Sequence, residues 1–135
     1  MQPGLFKKNA VLIEQDFVQC RLYEDLLEAS GFDVYIAKSA MDALTKIRQE
    51  KQDIAIINTE IAEDKFIKKF VEKIKTEENS LPIIGISIYS KEKKQNIANI
   101  LDNFLTKPFS IDTFMNAIDG CLEEEKNGCE NSDYQ

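Results

Sequence analysis

The sequence predicts an α/β domain in which a doubly wound parallel sheet is covered by helices on both faces. Three observations carry that prediction. Five short apolar runs recur along the chain, and stretches with helical periodicity separate them. Two of the runs, Asp53-Ile54-Ala55-Ile56-Ile57-Asn58-Thr59 and Ile83-Ile84-Gly85-Ile86-Ser87-Ile88, are apolar without alternation, as strands buried on both faces are. The 135 residues amount to one domain with a core of its own, and no internal repeat, linker or second module is visible.

Residues 1–8 read as a short leader, and the folded domain is expected over 9–124. Asn9 to Glu14 is the first strand. Asp16 is placed to cap a first helix in which Val18, Leu22, Leu26 and Ala29 recur at helical spacing, and Gly31 stands where a left-handed terminator is usual. Asp33 to Ala37 is the second strand. Ser39 caps a second helix with Ala40, Ala43, Leu44 and Ile47 on one face. The third strand ends on Asn58, and a third helix turns Phe66, Ile67, Phe70, Val71 and Ile74 inward. After a loop at 77–80, Pro82 opens the fourth strand. Lys91 to Ile100 is a weaker fourth helix, rich in lysine. Asn103 to Lys107 is a short fifth strand halted by Pro108, which cannot continue a ladder. Ser110 caps a fifth helix with Ile111, Phe114, Met115, Ile118 and Leu122 inward, and residues 125–135 read as a disordered acidic and polar tail. With short right-handed crossovers, the natural arrangement is the flavodoxin-like strand order 2-1-3-4-5 in a single domain.

Composition narrows the function. A net charge of −7 argues against a nucleic-acid or anionic-membrane surface. Cys20, Cys121 and Cys129 lack paired spacing and read as reduced thiols of a cytoplasmic protein, the first two as packing residues. The start of the chain has no apolar core of a secretory signal. There is no histidine, which removes histidine-based catalysis, histidine-built zinc sites and any role as a phosphohistidine donor.

In open parallel sheets the functional crevice lies beyond the carboxyl ends of the strands. Those ends carry Glu14, Gln15 and Asp16; Asn58; Ser87; and Lys107 followed by Pro108. An acidic cluster, a central residue, a hydroxyl and a Lys-Pro pair, in that order, resemble the receiver domain of bacterial response regulators over roughly residues 9–124. The run EDLLEASGFDVYIAKSAMDAL is most similar to stand-alone receivers of the DivK cell-cycle type. The resemblance implies a phosphoacceptor aspartate at the end of the third strand and two acids after the first that hold magnesium. It also implies a hydroxyl and a lysine on the phosphoryl oxygens. On that pattern Glu14 matches the first acid, Ser87 the hydroxyl, Lys107 the lysine and Phe104 the switch aromatic.

Two positions depart from it. Asn58 stands at the phosphoacceptor position and Gln15 at the second acid. An amide oxygen is neutral and its nitrogen lone pair is delocalised, so it does not attack phosphorus as a carboxylate does. Magnesium asks for hard anionic oxygens in an octahedral array. At the matched positions Glu14 and Lys107 remain charged, cancel, and are free to pair with each other. Asp16 is a helix cap rather than a replacement ligand. Ile88 stands where the family keeps a small residue, and the loop TEIAEDKF lacks the family's Pro and Gly.

These readings combine into a pseudo-receiver in two-component or phosphorelay signalling. It is expected to act by protein–protein contact rather than as an enzyme, with no cofactor and with weak or absent Mg2+ binding. The expected partner is a histidine kinase, a phosphotransfer protein or another receiver. It would dock on the helix 4–strand 5–helix 5 face or on helix 1, with a homodimer possible. Two alternatives stand beside it. One is a phosphorylatable receiver using Glu60 or Asp64. The other is a flavodoxin-like small-ligand module, which the acidic, bulky turn Glu14-Gln15-Asp16-Phe17 disfavours because it would repel phosphate.

Overall fold

The computed structural model describes residues 7–134 apart from 79, with side chains described through Leu122. The five strands are β1 (Lys8–Ile13), β2 (Phe32–Ala37), β3 (Ile54–Asn58), β4 (Ile83–Ser87) and β5 (Asn103–Thr106). The helices are α1 (Phe17–Ala29), α2 (Ala40–Gln49), α3 (Asp64–Glu77), α4 (Gln95–Ala98) and α5 (Ile111–Tyr134). All strand pairs are parallel, in the order β2-β1-β3-β4-β5. The fold class and strand order are those the sequence predicts.

Alternation along each strand divides the core into two layers. Val11, Ile13, Ala55, Ile57 and Ile83 face α2, α3 and α4 through Ala43, Leu44, Ile47, Ile67, Phe70, Val71, Ile74 and Ile97. Ala10, Leu12, Ile54, Ile56, Ile84, Ile86 and Leu105 face α1 and α5 through Tyr23, Leu27, Phe114, Ala117, Ile118 and Cys121. Ile57 therefore meets one layer and Ile56 the other, which is why the run carries no polar residue until Asn58.

The register gathers the strand ends. Ile13 pairs with both Ala37 and Ile57, Asn58 with Ile86, and Ser87 with Thr106. Beneath that edge Gly85 allows a close approach: an added Cβ would lie 2.5 Å from Leu101 Cδ1, 3.1 Å from Thr59 Cγ2 and 3.3 Å from Phe104 Cδ1. Gly85→Ala is expected to lose about 1–3 kcal/mol of stability by overpacking, read as a lower urea midpoint.

Several expectations are corrected. In α1 the buried residues are Cys20, Tyr23 and Leu27. Val18 is 66% and Leu22 46% exposed, Ala29 is exposed and Leu26 is only half-buried. Two apolar stripes run along this helix, and the one that packs carries Tyr23, stacked on Phe114 at 5.2 Å and Phe109 at 6.3 Å. In α3 Phe66 faces out, and in α5 Ile111 faces out while Ala117 and Cys121 face in. The fourth helix, expected over 91–100, is the single turn Gln95–Ala98. Only Ile97 and Ala98 anchor it, and a short helix without a packed face has little to hold it. Strand bounds shift by a residue or two, and β1 ends at Ile13, before Glu14.

Residues 1–6 of the expected leader (1–8) and the side chains of the tail (125–135), Cys129 included, lie outside the described residues; Lys8 belongs to β1, and the backbone of α5 runs to Tyr134. Among the described residues, no helix is long and apolar enough to cross a membrane.

Candidate functional site

The ends of β1, β3 and β4 deliver Glu14, Asn58 and Ser87 to the crevice. Glu14, just past β1, is 1% exposed, and its Oε2 accepts from Gln15 N (2.8 Å), Asp16 N (3.0 Å) and Asn58 Nδ2 (3.1 Å). Asn58 closes β3, and its Oδ1 accepts from Glu60 N at 2.9 Å, capping a 3-10 turn over Thr59–Ile61. Only this amide orientation satisfies both neighbours, since the reverse would aim Oδ1 at the Glu14 carboxylate. Gln15 turns away: its Nε2 donates to Lys38 O at 3.0 Å. Asp16 accepts from Gln19 N at 3.2 Å and caps α1, as its position in the sequence suggests.

The turn that Asn58 starts brings Glu60 back over the sheet edge. Glu60 Oε2 accepts from Thr59 Oγ1 (2.6 Å) and Ser87 Oγ (2.7 Å), and Oε1 accepts from Ile88 N (2.9 Å). Thr59 Oγ1 also lies 3.3 Å from Ile86 O, but a hydroxyl has one proton and the shorter bond takes it. Lys94 Nζ stands 3.8 Å from Glu60 Oε2 and 2.7 Å from Asp64 Oδ1, with its side chain only 13% exposed. Partial burial pushes the Glu60 carboxyl up. Donation from Thr59, Ser87 and the Ile88 N–H, with the Lys94 ammonium beside it, outweighs that and holds the group below the ordinary carboxylate range.

The residues singled out from the sequence thus divide. Glu14, Asn58 and Ser87 reach the crevice, with Ser87 engaging Glu60 rather than Asn58, whereas Gln15 turns to Lys38 O and Asp16 to the start of α1. Glu14 does not pair with Lys107: its Oε2 accepts from three N–H groups. Lys107, joined to Pro108 by a cis peptide bond, instead lines a groove of about 270 Å³ with Gln19, Leu22, Tyr23, Phe109 and Ile111. Phe104 is 9% exposed and packs near Gly85. Ile88 is 58% exposed, and its backbone N–H points to Glu60 Oε1.

Glu60, weighed from the sequence only as an alternative phosphoacceptor, and Lys94, within the lysine-rich fourth helix, are the residues whose place at the crevice the sequence does not give. The usable signal was Asn58 with two polar residues after it: Asn at a strand end starts a side-chain-capped turn that aims the next side chains back at the sheet.

The donor set fits a divalent cation poorly. Among the described residues no cluster of three metal-ligating side chains is present. Glu14 Oε2 is committed to three donors, Gln15 and Asp16 are turned elsewhere, and Asn58 presents N–H to this side.

The response regulator receiver domain family model matches residues 10–119. The polar-differentiation response regulator DivK of Brucella ovis is 23% identical over 119 residues, spanning 85% of this chain and 96% of that protein. Among solved structures, NtrX from Brucella abortus matches with a TM-score of 0.80 at 20% identity, and the match covers 96% of this chain but 29% of NtrX. A response regulator from Thermotoga maritima gives 0.77 at 19% identity, over 87% of this chain and 99% of the other. A CheY-like receiver domain protein from Methanospirillum hungatei gives 0.79 at 20% identity, over 90% and 98%.

Proposed function

The chain belongs to the response regulator receiver domain family, and we propose that within it the protein is a pseudo-receiver, a two-component signalling protein that works by protein–protein contact without accepting a phosphoryl group. The observation that carries this reading is Asn58. Its amide donates to the buried Glu14 carboxylate and accepts from the Glu60 N–H, so the residue at the phosphoacceptor position is a neutral structural bridge.

The carboxylates weighed as replacements are engaged. Glu60 is held by three donors, and Asp64 pairs with Lys94, which lowers the nucleophilicity of both. Weak or absent Mg2+ binding belongs to the same proposal, because Glu14 is the one inward carboxylate of its cluster. The reading places the protein in the cytoplasm and outside catalysis.

The partner would be a histidine kinase, a phosphotransfer protein or another receiver, a second copy included. Of the two surfaces considered, the helix 1 side carries the larger set of exposed apolar side chains: Phe17, Val18 and Leu22, with Ile111 across the groove. The α4–β5–α5 side carries Ile88 and Tyr89 at its edge and only one turn of helix.

Incubating the chain with acetyl phosphate and magnesium is expected to leave its intact mass unchanged, and magnesium calorimetry to show no tight site. A stoichiometric phosphoryl adduct would refute the proposal, and so would tight magnesium binding.

A further inference from the structure

The group of donors around Glu60 is an anion cradle whose occupant the chain supplies itself. Two hydroxyls, one backbone N–H and one ammonium converge on a single carboxylate, from the end of β3, the end of β4, the residue after it and the start of α4. Such a set, charge-assisted and geometrically closed, recognises compact oxyanions in general. Here it is filled from two residues beyond Asn58.

We propose that Glu60 is a resident anion, a carboxylate that fills this cradle permanently and fixes the segment from Ser87 to Lys94 in one conformation without any ligand. The inference deepens the pseudo-receiver reading and rests on it, since a chain that takes up no phosphoryl group needs another source of charge to set this segment.

Three contacts couple the occupant to the segment. Ser87 Oγ donates to Glu60 and accepts from Tyr89 N at 2.9 Å, so the first turn after β4 is keyed to the engaged hydroxyl. The Ile88 N–H ends on Glu60 Oε1. Lys94 is drawn in against Glu60 and Asp64, and its Nζ lies 5.2 Å from the centre of the Tyr89 ring. With these ties made, Ile88 and Tyr89 stand 58% and 42% exposed, an apolar pair displayed at the crevice rim. The charged groups that face the Glu60 carboxylate are Lys94 and, through it, Asp64.

Amide spectra and hydrogen exchange on the full chain test this, comparing the native protein with Glu60→Ala and the isosteric Glu60→Gln. In Glu60→Ala the Ser87–Lys94 amides are expected to move and to exchange about tenfold faster, while amides in β1, β2 and α5 keep their positions. Sodium acetate, which resupplies a free carboxylate, should return the variant's segment toward native positions and leave the native protein unchanged. If Glu60→Ala proves unfolded, Glu60→Gln carries the test through pH. A carboxylate held below its ordinary range stabilises above that range, and the contribution is lost as pH falls through the folded value. The Gln variant's differences at residues 87–94 should therefore be full at neutral pH and fade in acid.

Native-like segment shifts and exchange in both variants would overturn the inference, as would a native segment that added acetate displaces. These outcomes are separable from the phosphoryl test. An adduct on the native chain defeats the pseudo-receiver reading whatever the segment does, whereas an unmoved segment defeats the resident anion even when no adduct forms.

Discussion

Truncating Glu14 to alanine is expected to lower the unfolding free energy by about 2–3 kcal/mol, a large effect for a single change at the site. Two physical terms oppose each other. Glu14 is 1% exposed and no cation lies within ion-pair distance of it among the described residues, so removing it relieves the cost of a buried charge. Its Oε2, however, is the acceptor for Gln15 N, Asp16 N and Asn58 Nδ2 together. An orphaned donor costs up to about 1–3 kcal/mol. Asn58 Nδ2 stands nearest that cost, while the N–H groups of the exposed Gln15 and Asp16 lose less because water can replace the carboxylate. Together they still outweigh one relieved charge that N–H groups already solvate. Glu14→Gln separates the terms: it keeps an acceptor oxygen and loses the charge, and should cost only about 1–2 kcal/mol. Urea unfolding at neutral pH measures both, with an unchanged m-value as the sign that the native state survives. An alanine variant within about 0.5 kcal/mol of native would show that the cluster does not depend on this carboxylate.

The line between the features that were legible in the sequence and those that were not is set by how each is encoded. The sheet was legible because β3 and β4 are buried on both faces, and short β-branched runs with Ile56 and Ile57, or Ile83 and Ile84, side by side fit a strand in the middle of a parallel sheet. The face of α2 was legible because Ala43, Leu44 and Ile47 form its single apolar stripe. The face of α1 was not, since Val18-Leu22-Leu26 and Tyr23-Leu27 are competing stripes one residue apart. Only the aromatic partners Phe109 and Phe114, distant in sequence, decide between them.

At the site, Asn58, Ser87 and Glu14 could be placed because strand ends are fixed by strand identity. Glu60 could not. Its position depends on the dihedral path of a three-residue turn, and no periodicity records where such a turn points its second side chain. Lys94 was hidden for a related reason. In a run of lysines each reads as solvated, and a pairing with Asp64 thirty positions away has no local signature.

Replacing Asn58 with aspartate, the residue the receiver family places here, is expected to cost about 3–4 kcal/mol at pH 7. Nδ2 of the amide lies 3.1 Å from Glu14 Oε2, so the substitution sets a carboxylate oxygen against a carboxylate oxygen at nearly that distance. At an effective dielectric of about 20 the repulsion is about 5 kcal/mol. The pair can escape it by binding one proton, which for a carboxyl of ordinary affinity costs about 4 kcal/mol at pH 7, at about 1.36 kcal/mol per pH unit. The cheaper route caps the penalty, and small movements apart reduce it further. The pH dependence then has a definite sign. One carboxyl of the variant's pair has a folded pKa raised above its unfolded value, so between the two values the folded state binds more protons and stability falls as pH rises. The variant's deficit against the native chain should therefore be full at neutral pH, shrink on acidification and vanish near pH ~4. Asn58→Ala, which deletes the donation to Glu14 and the acceptance from the Glu60 N–H without adding charge, should show a deficit that changes less over that window. Matched pH series of urea midpoints for the two variants decide the matter. If Asn58→Asp is as stable as the native chain at pH 7, or its deficit is flat with pH, then the amide is not what allows Glu14 to stay charged and buried. In that case the central residue of this crevice is neutral for some reason other than the carboxylate beside it.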